Sequence, residues 1–261
     1  MSPSPELVAL YPDVAAAGSL AAALRAVADG ALDAVPLTSP ADEPLSAAYA
    51  GSALPHREPL RVSAWKHERR WVAEADERLL GLSVIRGTTD DLAQVARAVR
   101  AWHDGASPDG VHAAAPFARP TGRLELTGPD PARMVDSEWR SLRVEAAGLT
   151  TPWAPAHRDL VEAAHAEPRF RALYPFTSHW ALRFSSATRP AMEPVGPVLW
   201  CTGEGGFRTA LHMSEEGRAH DTAREAVAAA LRLLPDGIGP VRYGEPPRAA
   251  GGNAVEVPGR A

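Results

Sequence analysis

In the run LYPFTSHWALRFS, Leu173–Ser185, the hydroxyls of Thr177 and Ser178, an imidazole and a guanidinium stand where a helical pattern gives way to a strand pattern. Alternate side chains of a strand face opposite ways. Trp180, Leu182 and Phe184 then share a core face, and Thr177, His179, Ala181, Arg183 and Ser185 share the other. At about 3.3 Å per residue, His179 and Arg183 stand roughly 13 Å apart, too far to touch but able to line one groove. The run Phe207–Met213 divides likewise, with Arg208, Ala210 and His212 on one face. If the two strands belong to one sheet, His179, Arg183, Arg208 and His212 populate a single polar face.

An imidazole near a guanidinium is biased toward its neutral form, because like charge disfavours protonation. A neutral imidazole is a competent base near neutral pH. A guanidinium beside it holds a carboxylate, a thiolate or an enolate oxygen. The chemistry within reach is therefore proton transfer with anion stabilisation. The structural alternative is equally concrete: His179 and Thr177 bond backbone groups at a corner while Arg183 faces water. Cys201 is the sole cysteine. It can form neither an internal disulfide nor a thiolate metal cluster, and a buried strand thiol is the commoner use of such a residue.

Other motifs carry less. HRDL, His157–Leu160, echoes a protein-kinase catalytic loop, but Ala164 stands where that pattern needs Asn, and no strand lysine, Gly-rich loop or DFG accompanies it. It reads as a helix start with Asp159 near the positive end. EAAH, Glu162–His165, has the Glu-x-x-His spacing of carboxylate metal sites without the second copy those need, so no metal site is expected. GEGG, Gly203–Gly206, lies between strand-like runs and reads as a hairpin turn, not a nucleotide loop.

The elements that must position these residues alternate between strand runs and helices. The chain has 261 residues, is 45% hydrophobic and 23% charged, and so has an ordinary soluble composition. Its net charge of −5 and lack of a basic tract argue against nucleic acid. No run reaches the ~18–20 apolar residues of a membrane span, and MSPSPELVAL has no basic region ahead of an apolar one. A cytoplasmic protein with no membrane or nucleic-acid partner is expected. Only Lys66 of the 27 basic residues is lysine, which excludes a P-loop.

ELVALYPD reads as a short strand, AAAGSLAAALRAVADG, residues 15–30, as a helix ended by Gly30, and residues 38–59 as a linker. LRVSAWKHE, RRWVAEAD and LLGLSVIRG read as strands before the helix TTDDLAQVARAVRAW, in which Thr88 and Asp91 resemble a capping box. The centre is helical. HWALRFS, GPVLWCTG, GFRTALHMS and EGRAHD then form a second meander, followed by the helix TAREAVAAALRLLPDG. The fold class is α+β, two antiparallel meander-plus-helix blocks joined by a helical middle segment. The segments divide as 1–59, 60–150, 151–243 and a loose tail, 244–261. The two block-ending helices resemble each other as a degenerate duplication would, although alanine-rich helices also match without one.

LVEAAHAEPRFRALYPFTSHWALRFS, Leu160–Ser185, closely resembles the signature stretch of an actinobacterial family of natural product biosynthesis proteins of unknown function. GTTDDLAQVARAVRAWHDGASPDGVHAAAPF and HDTAREAVAAALRLLPDGIGP resemble it in the same order, so the likeness spans about residues 60–242. Two features depart from it. SSATRP, Ser185–Pro190, replaces a stretch that usually holds Cys and Gly, and Trp180 stands where a small residue is common. The resemblance implies a place in class V lanthipeptide-like gene clusters and a role in thioether ring closure, where a peptide Cys thiol adds to a dehydroamino acid. That reaction needs a base and a proton donor but no cofactor. The resemblance then implies His179 as base or acid, Arg183 as anion stabiliser, and Tyr174 or His212 as second proton donor. Thr177, Ser178, Trp180 and Arg208 would contact the precursor peptide. The alternative it implies is a non-catalytic protein that takes the peptide as an added strand and presents it to kinase-like and lyase-like partner enzymes. A third is an interaction or immunity protein without catalysis.

Overall fold

The computed structural model describes residues 5–203, 205–212 and 216–245. The tail expected beyond Gly244 falls, from residue 246 on, outside the described residues, as does Met213, the last residue of the expected Phe207–Met213 strand.

The first unit opens with helices α1 (Pro5–Leu10), α2 (Pro12–Ala17) and α3 (Leu20–Val27). The strand expected over ELVALYPD is thus helical. Leu7, Leu10, Tyr11 and Val14 explain why: they recur at helical, not alternating, spacing and all face the first core. Strands β1 (Leu37–Thr38), β2 (Ala47–Ala50), β3 (Leu60–Ala64), β4 (Trp71–Asp76) and β5 (Ser83–Thr89) follow. Helices α4 (Leu92–His103) and α5 (Pro108–Ala114) and strand β6 (Arg119–Pro120) complete the unit. The strands form one antiparallel meander in the order β1-β2-β3-β4-β5-β6. The segment expected as a linker therefore contains β2, the strand next to the sheet edge. α4 buries Leu92, Val95, Val99 and Trp102 on one face. Its N-cap is Asp91, which accepts from the Ala93 and Gln94 N–H groups. Thr88 instead lies in β5, so the expected capping box does not form.

The second unit has helices α6 (Pro131–Gly148), α7 (Ala154–Ala166) and α8 (Pro168–Arg171), then β7 (Tyr174–Ser178), β8 (Ala181–Ser185), β9 (Ala187–Pro190), β10 (Pro194–Cys201), β11 (Phe207–Ala210) and β12 (Arg218–His220). Helix α9 (Ala223–Leu231) and strand β13 (Arg242–Gly244) end it. Its main sheet runs β12-β11-β10-β8-β7, all antiparallel, while β9 leaves it to pair with β13 in parallel. A capping box of Thr222 and Glu225 starts α9. Trp139, Phe170, Phe184, Leu182 and Leu199 fill a second core separate from the first. The architecture is α+β, and α4 and α9 each follow an antiparallel meander.

Residues 121–125 tie the units together. Thr121 Oγ1 donates to the Ser83 carbonyl at 2.6 Å, and Leu124 N–H donates to Ser137 Oγ at 2.9 Å. Arg57 Nη2 meets Glu125 at 2.6 Å, with its guanidinium 4.1 Å from the centre of the Trp102 ring. Arg123 Nη2 donates to Glu138 Oε1 at 2.9 Å.

Candidate functional site

The opening run is a hairpin and not one strand. Ser178 pairs with Ala181, Thr177 with Leu182 and Phe176 with Arg183, leaving His179 and Trp180 as a two-residue turn. Both turn residues have positive φ, 51° and 65°. This is the geometry of a type I′ turn, which suits Asn-Gly because most side chains resist it. The expected alternation breaks at that turn. Leu182 and Phe184 are fully buried core, whereas Trp180 is 42% exposed.

Arg183 and Arg208 do lie on one face of the sheet. Leu182 pairs with Leu199 and Leu199 with Thr209, so their neighbours Arg183 and Arg208 both point to the opposite side. Each is engaged locally. Arg183 lies over the Phe176 ring at 5.2 Å, and Arg208 Nη1 donates to the carbonyls of Glu216 at 2.8 Å and Gly217 at 3.2 Å. His212 is exposed in the β11–β12 connection, not in a strand. His179 is exposed at the hairpin tip, with Nδ1 3.3 Å from Ser178 Oγ. Thr177 and Ser178 are half-buried on β7. Tyr174 is buried, and its hydroxyl donates to Glu138 Oε2 at 3.2 Å. Burial, then the Glu138 charge, hold that phenol above its ordinary range. Among the described residues no hydrogen bond joins any two of His179, Arg183, Tyr174 and His212.

What the hairpin tip does assemble is aromatic. The Trp180 ring lies 5.0 Å from that of Trp153 and 5.8 Å, edge-on, from that of His157. Trp153 and His157 meet edge-on at 5.7 Å. Trp153 is the N-cap residue of α7 and makes no side-chain cap bond. Four residues separate it from His157, which puts both on one helical face. His157 is 2% exposed, and its Nδ1 is buried without a partner. Burial alone pushes its imidazole below the usual histidine range.

Three local costs thus meet at one spot: a strained turn, an unsatisfied buried nitrogen and a helix start without a side-chain cap. Such coincidences mark functional sites more than ordinary corners. The sequence reading missed His157 by treating HRDL only as a failed kinase motif. The signal available was Trp153 and His157 at i, i+4 beneath a hairpin whose turn carries a tryptophan.

The lowered His157 pKa sets an acid limit on stability. The unfolded chain takes up a proton near the ordinary histidine value, about 6.5, while the folded chain resists it. Stability is then full above that value and falls as pH drops through it. His157→Phe is expected to flatten this acid-side slope and to raise stability by about 1–3 kcal/mol, since the unpaired nitrogen is gone. Urea titrations at pH 7.5 and 5.5 check this, and an unchanged slope would assign the acid limit to other groups.

Neighbouring candidates are accounted for. Glu162 accepts from Arg143 Nε at 2.7 Å, and His165 packs on Trp139 at 5.3 Å. The Cys201 thiol is half-buried and pushed up by that burial. Among the described residues no group of three or more His, Cys, Asp or Glu is placed to hold a metal ion, and no helix is long and apolar enough to cross a membrane.

Residues 133–245 match the model of a family of unknown function (DUF6193). The match runs through α6 to β13 and contains the aromatic hairpin tip. No curated protein and no solved structure matches the chain.

Proposed function

We propose that the protein binds a precursor peptide during maturation of a lanthipeptide-type natural product and presents it to kinase-like and lyase-like enzymes. One observation carries the reading: Trp180, 42% exposed on a strained turn, packs against Trp153 with the rings tilted and their centres 5.0 Å apart. Tryptophan pairs give large contact area for little lost side-chain freedom, which is why they anchor peptide surfaces. The strain of two bulky residues at positive φ persists only where the surroundings demand that geometry. The peptide and the biosynthetic setting come from the resemblance of Leu160–Ser185 to the signature run.

Strand addition beside the tip is disfavoured. β7 is the adjacent sheet edge, and Pro175 removes one of its donors. Recognition by side chains over Trp153 and Trp180 is the better fit. Thioether closure, the catalytic alternative, needs a base and a proton donor at one place. His179 and Tyr174 are not hydrogen-bonded to each other, and the Tyr174 proton is held by burial and by Glu138.

Calorimetric titration of the precursor peptide into the protein tests the reading. Trp180→Ala and Trp153→Ala are each expected to weaken binding at least tenfold with unchanged circular dichroism. Wild-type affinity in both variants would remove the hairpin tip from peptide recognition. Protein-dependent loss of free thiol from a dehydrated precursor would replace the binding role with cyclisation.

A further inference from the structure

We propose that His157 is the hydrogen-bond partner of a hydroxyl or thiol on the bound peptide, reached when Trp180 lifts from the ring beneath it. The inference rests on the hairpin tip being a peptide-binding surface and names the group that the surface selects.

Buried polar atoms are normally satisfied, and one left unpaired costs about 1–3 kcal/mol. Trp71 Nε1 and Arg189 Nε are likewise buried and unpaired, and Arg57 and Arg123 each leave one nitrogen unpaired with their charges met by Glu125 and Glu138. His157 has no such partner. Its ring neighbours are the indoles of Trp153 and Trp180, both edge-on to it, which offer no acceptor or donor to Nδ1. The Nδ1 side of the imidazole is therefore held dry and incomplete beneath a partly exposed side chain.

The surroundings restrict what can complete it. A charged group entering between two indoles would lose its hydration without a counter-charge, so ammonium and carboxylate are excluded. A carbonyl only accepts, and so suits only one imidazole tautomer. A hydroxyl or thiol both donates and accepts, and satisfies Nδ1 in either tautomer. Among peptide side chains this selects Ser, Thr, Tyr and Cys.

The cover over His157 is suited to opening. Trp180 has 42% of its surface in water, and its backbone is held at φ 65° with His179 at 51°. Relaxing that turn relieves strain of about 1–2 kcal/mol per residue while giving up one tryptophan contact and one edge-on histidine contact. The helix start itself is a poor alternative site. Pro155 removes one of its free N–H groups, and the Ala154 and His157 N–H groups are bonded to the Thr151 and Trp153 carbonyls.

The experiment follows the His157 ring nitrogens by long-range nitrogen–proton NMR in the full chain, with N-acetylserinamide, N-acetylcysteinamide and N-acetylalaninamide as probes. The serine and cysteine probes are expected to shift the His157 Nδ1 signal saturably, and the alanine probe is expected to leave it unchanged. Trp180→Ala is expected to raise carbethoxylation of His157 by diethyl pyrocarbonate at least tenfold, because the cover is gone. Equal shifts with all three probes, no shift with any of them, or carbethoxylation as fast in the wild type as in Trp180→Ala would each overturn the proposal. If the precursor peptide still binds at the tip in that event, the peptide-binding reading survives alone. Loss of precursor binding removes both. His157→Phe, which retains a ring at the position, supplies the signal assignment.

Discussion

Glu138→Leu is expected to lower the unfolding free energy by about 3–5 kcal/mol, the cost of leaving a buried charge without its partner. Glu138 lies on the buried face of α6 with 7% of its side chain exposed, and Arg123 facing it has 20%. One carboxylate oxygen receives Arg123 Nη2 and the other receives the Tyr174 hydroxyl. Arg123 Nε is already buried without a partner. Removing the carboxylate therefore strands a guanidinium and a phenol together, in the segment that joins the two cores. Replacing the whole group as Arg123→Met/Glu138→Leu/Tyr174→Phe is expected to recover most of the loss, because no buried charge or hydroxyl then remains. Urea denaturation with fitted slopes measures both variants. A loss below about 1 kcal/mol for Glu138→Leu would mean that Arg123 turns into solvent when its partner leaves. Alkali offers an independent check. The Tyr174 pKa is raised in the fold, so stability is full below the ordinary value of 10.0 and falls as pH rises above it. Tyr174→Phe is expected to remove that slope.

The sequence was informative where a pattern was local. α4 and α9 were legible from apolar spacing, with Gly105 following the first at φ 81°. The β10–β11 turn was legible from its glycines, and the shared face of Arg183 and Arg208 from strand alternation. It was least informative where tertiary packing overrode local preference. A His-Trp pair carries no turn chemistry comparable to Asn-Gly, so nothing in the run itself announced a type I′ turn. The turn becomes visible only once Trp153 and His157, some two dozen residues earlier, are seen to receive the Trp180 ring. The surroundings of Tyr174 were illegible for a related reason. Its neighbours in sequence give no hint of Glu138, which comes from α6 and makes the phenol a poor proton donor.

Phe184→Ala is expected to cost about 3–5 kcal/mol, whereas Trp180→Ala, four residues earlier on the same hairpin, is expected to change stability by less than about 1 kcal/mol. Both are large aromatics that alternation alone assigns to one core face. Phe184 is fully buried, stacked on Phe170 at 4.3 Å and 14°, with Trp139 at 6.3 Å. It joins β8 to α8 and α6, and its removal leaves a cavity lined by rigid rings that collapse poorly. Trp180 makes contacts of similar kind, but with 42% of its surface in water and at a φ that alanine adopts at no greater cost. Its two lost ring contacts amount to roughly 0.5–1.5 kcal/mol each before any strain relief is counted, and relief of about 1–2 kcal/mol per turn residue offsets most of that. Chemical denaturation of the two variants gives the comparison directly. Similar large losses for both would make Trp180 a structural residue and weaken the case for a binding surface at the tip. A small loss for Trp180→Ala together with abolished peptide affinity would separate the two roles that one hairpin serves: Phe184 holds the strand in the core, and Trp180 is carried on the turn for what lies outside it.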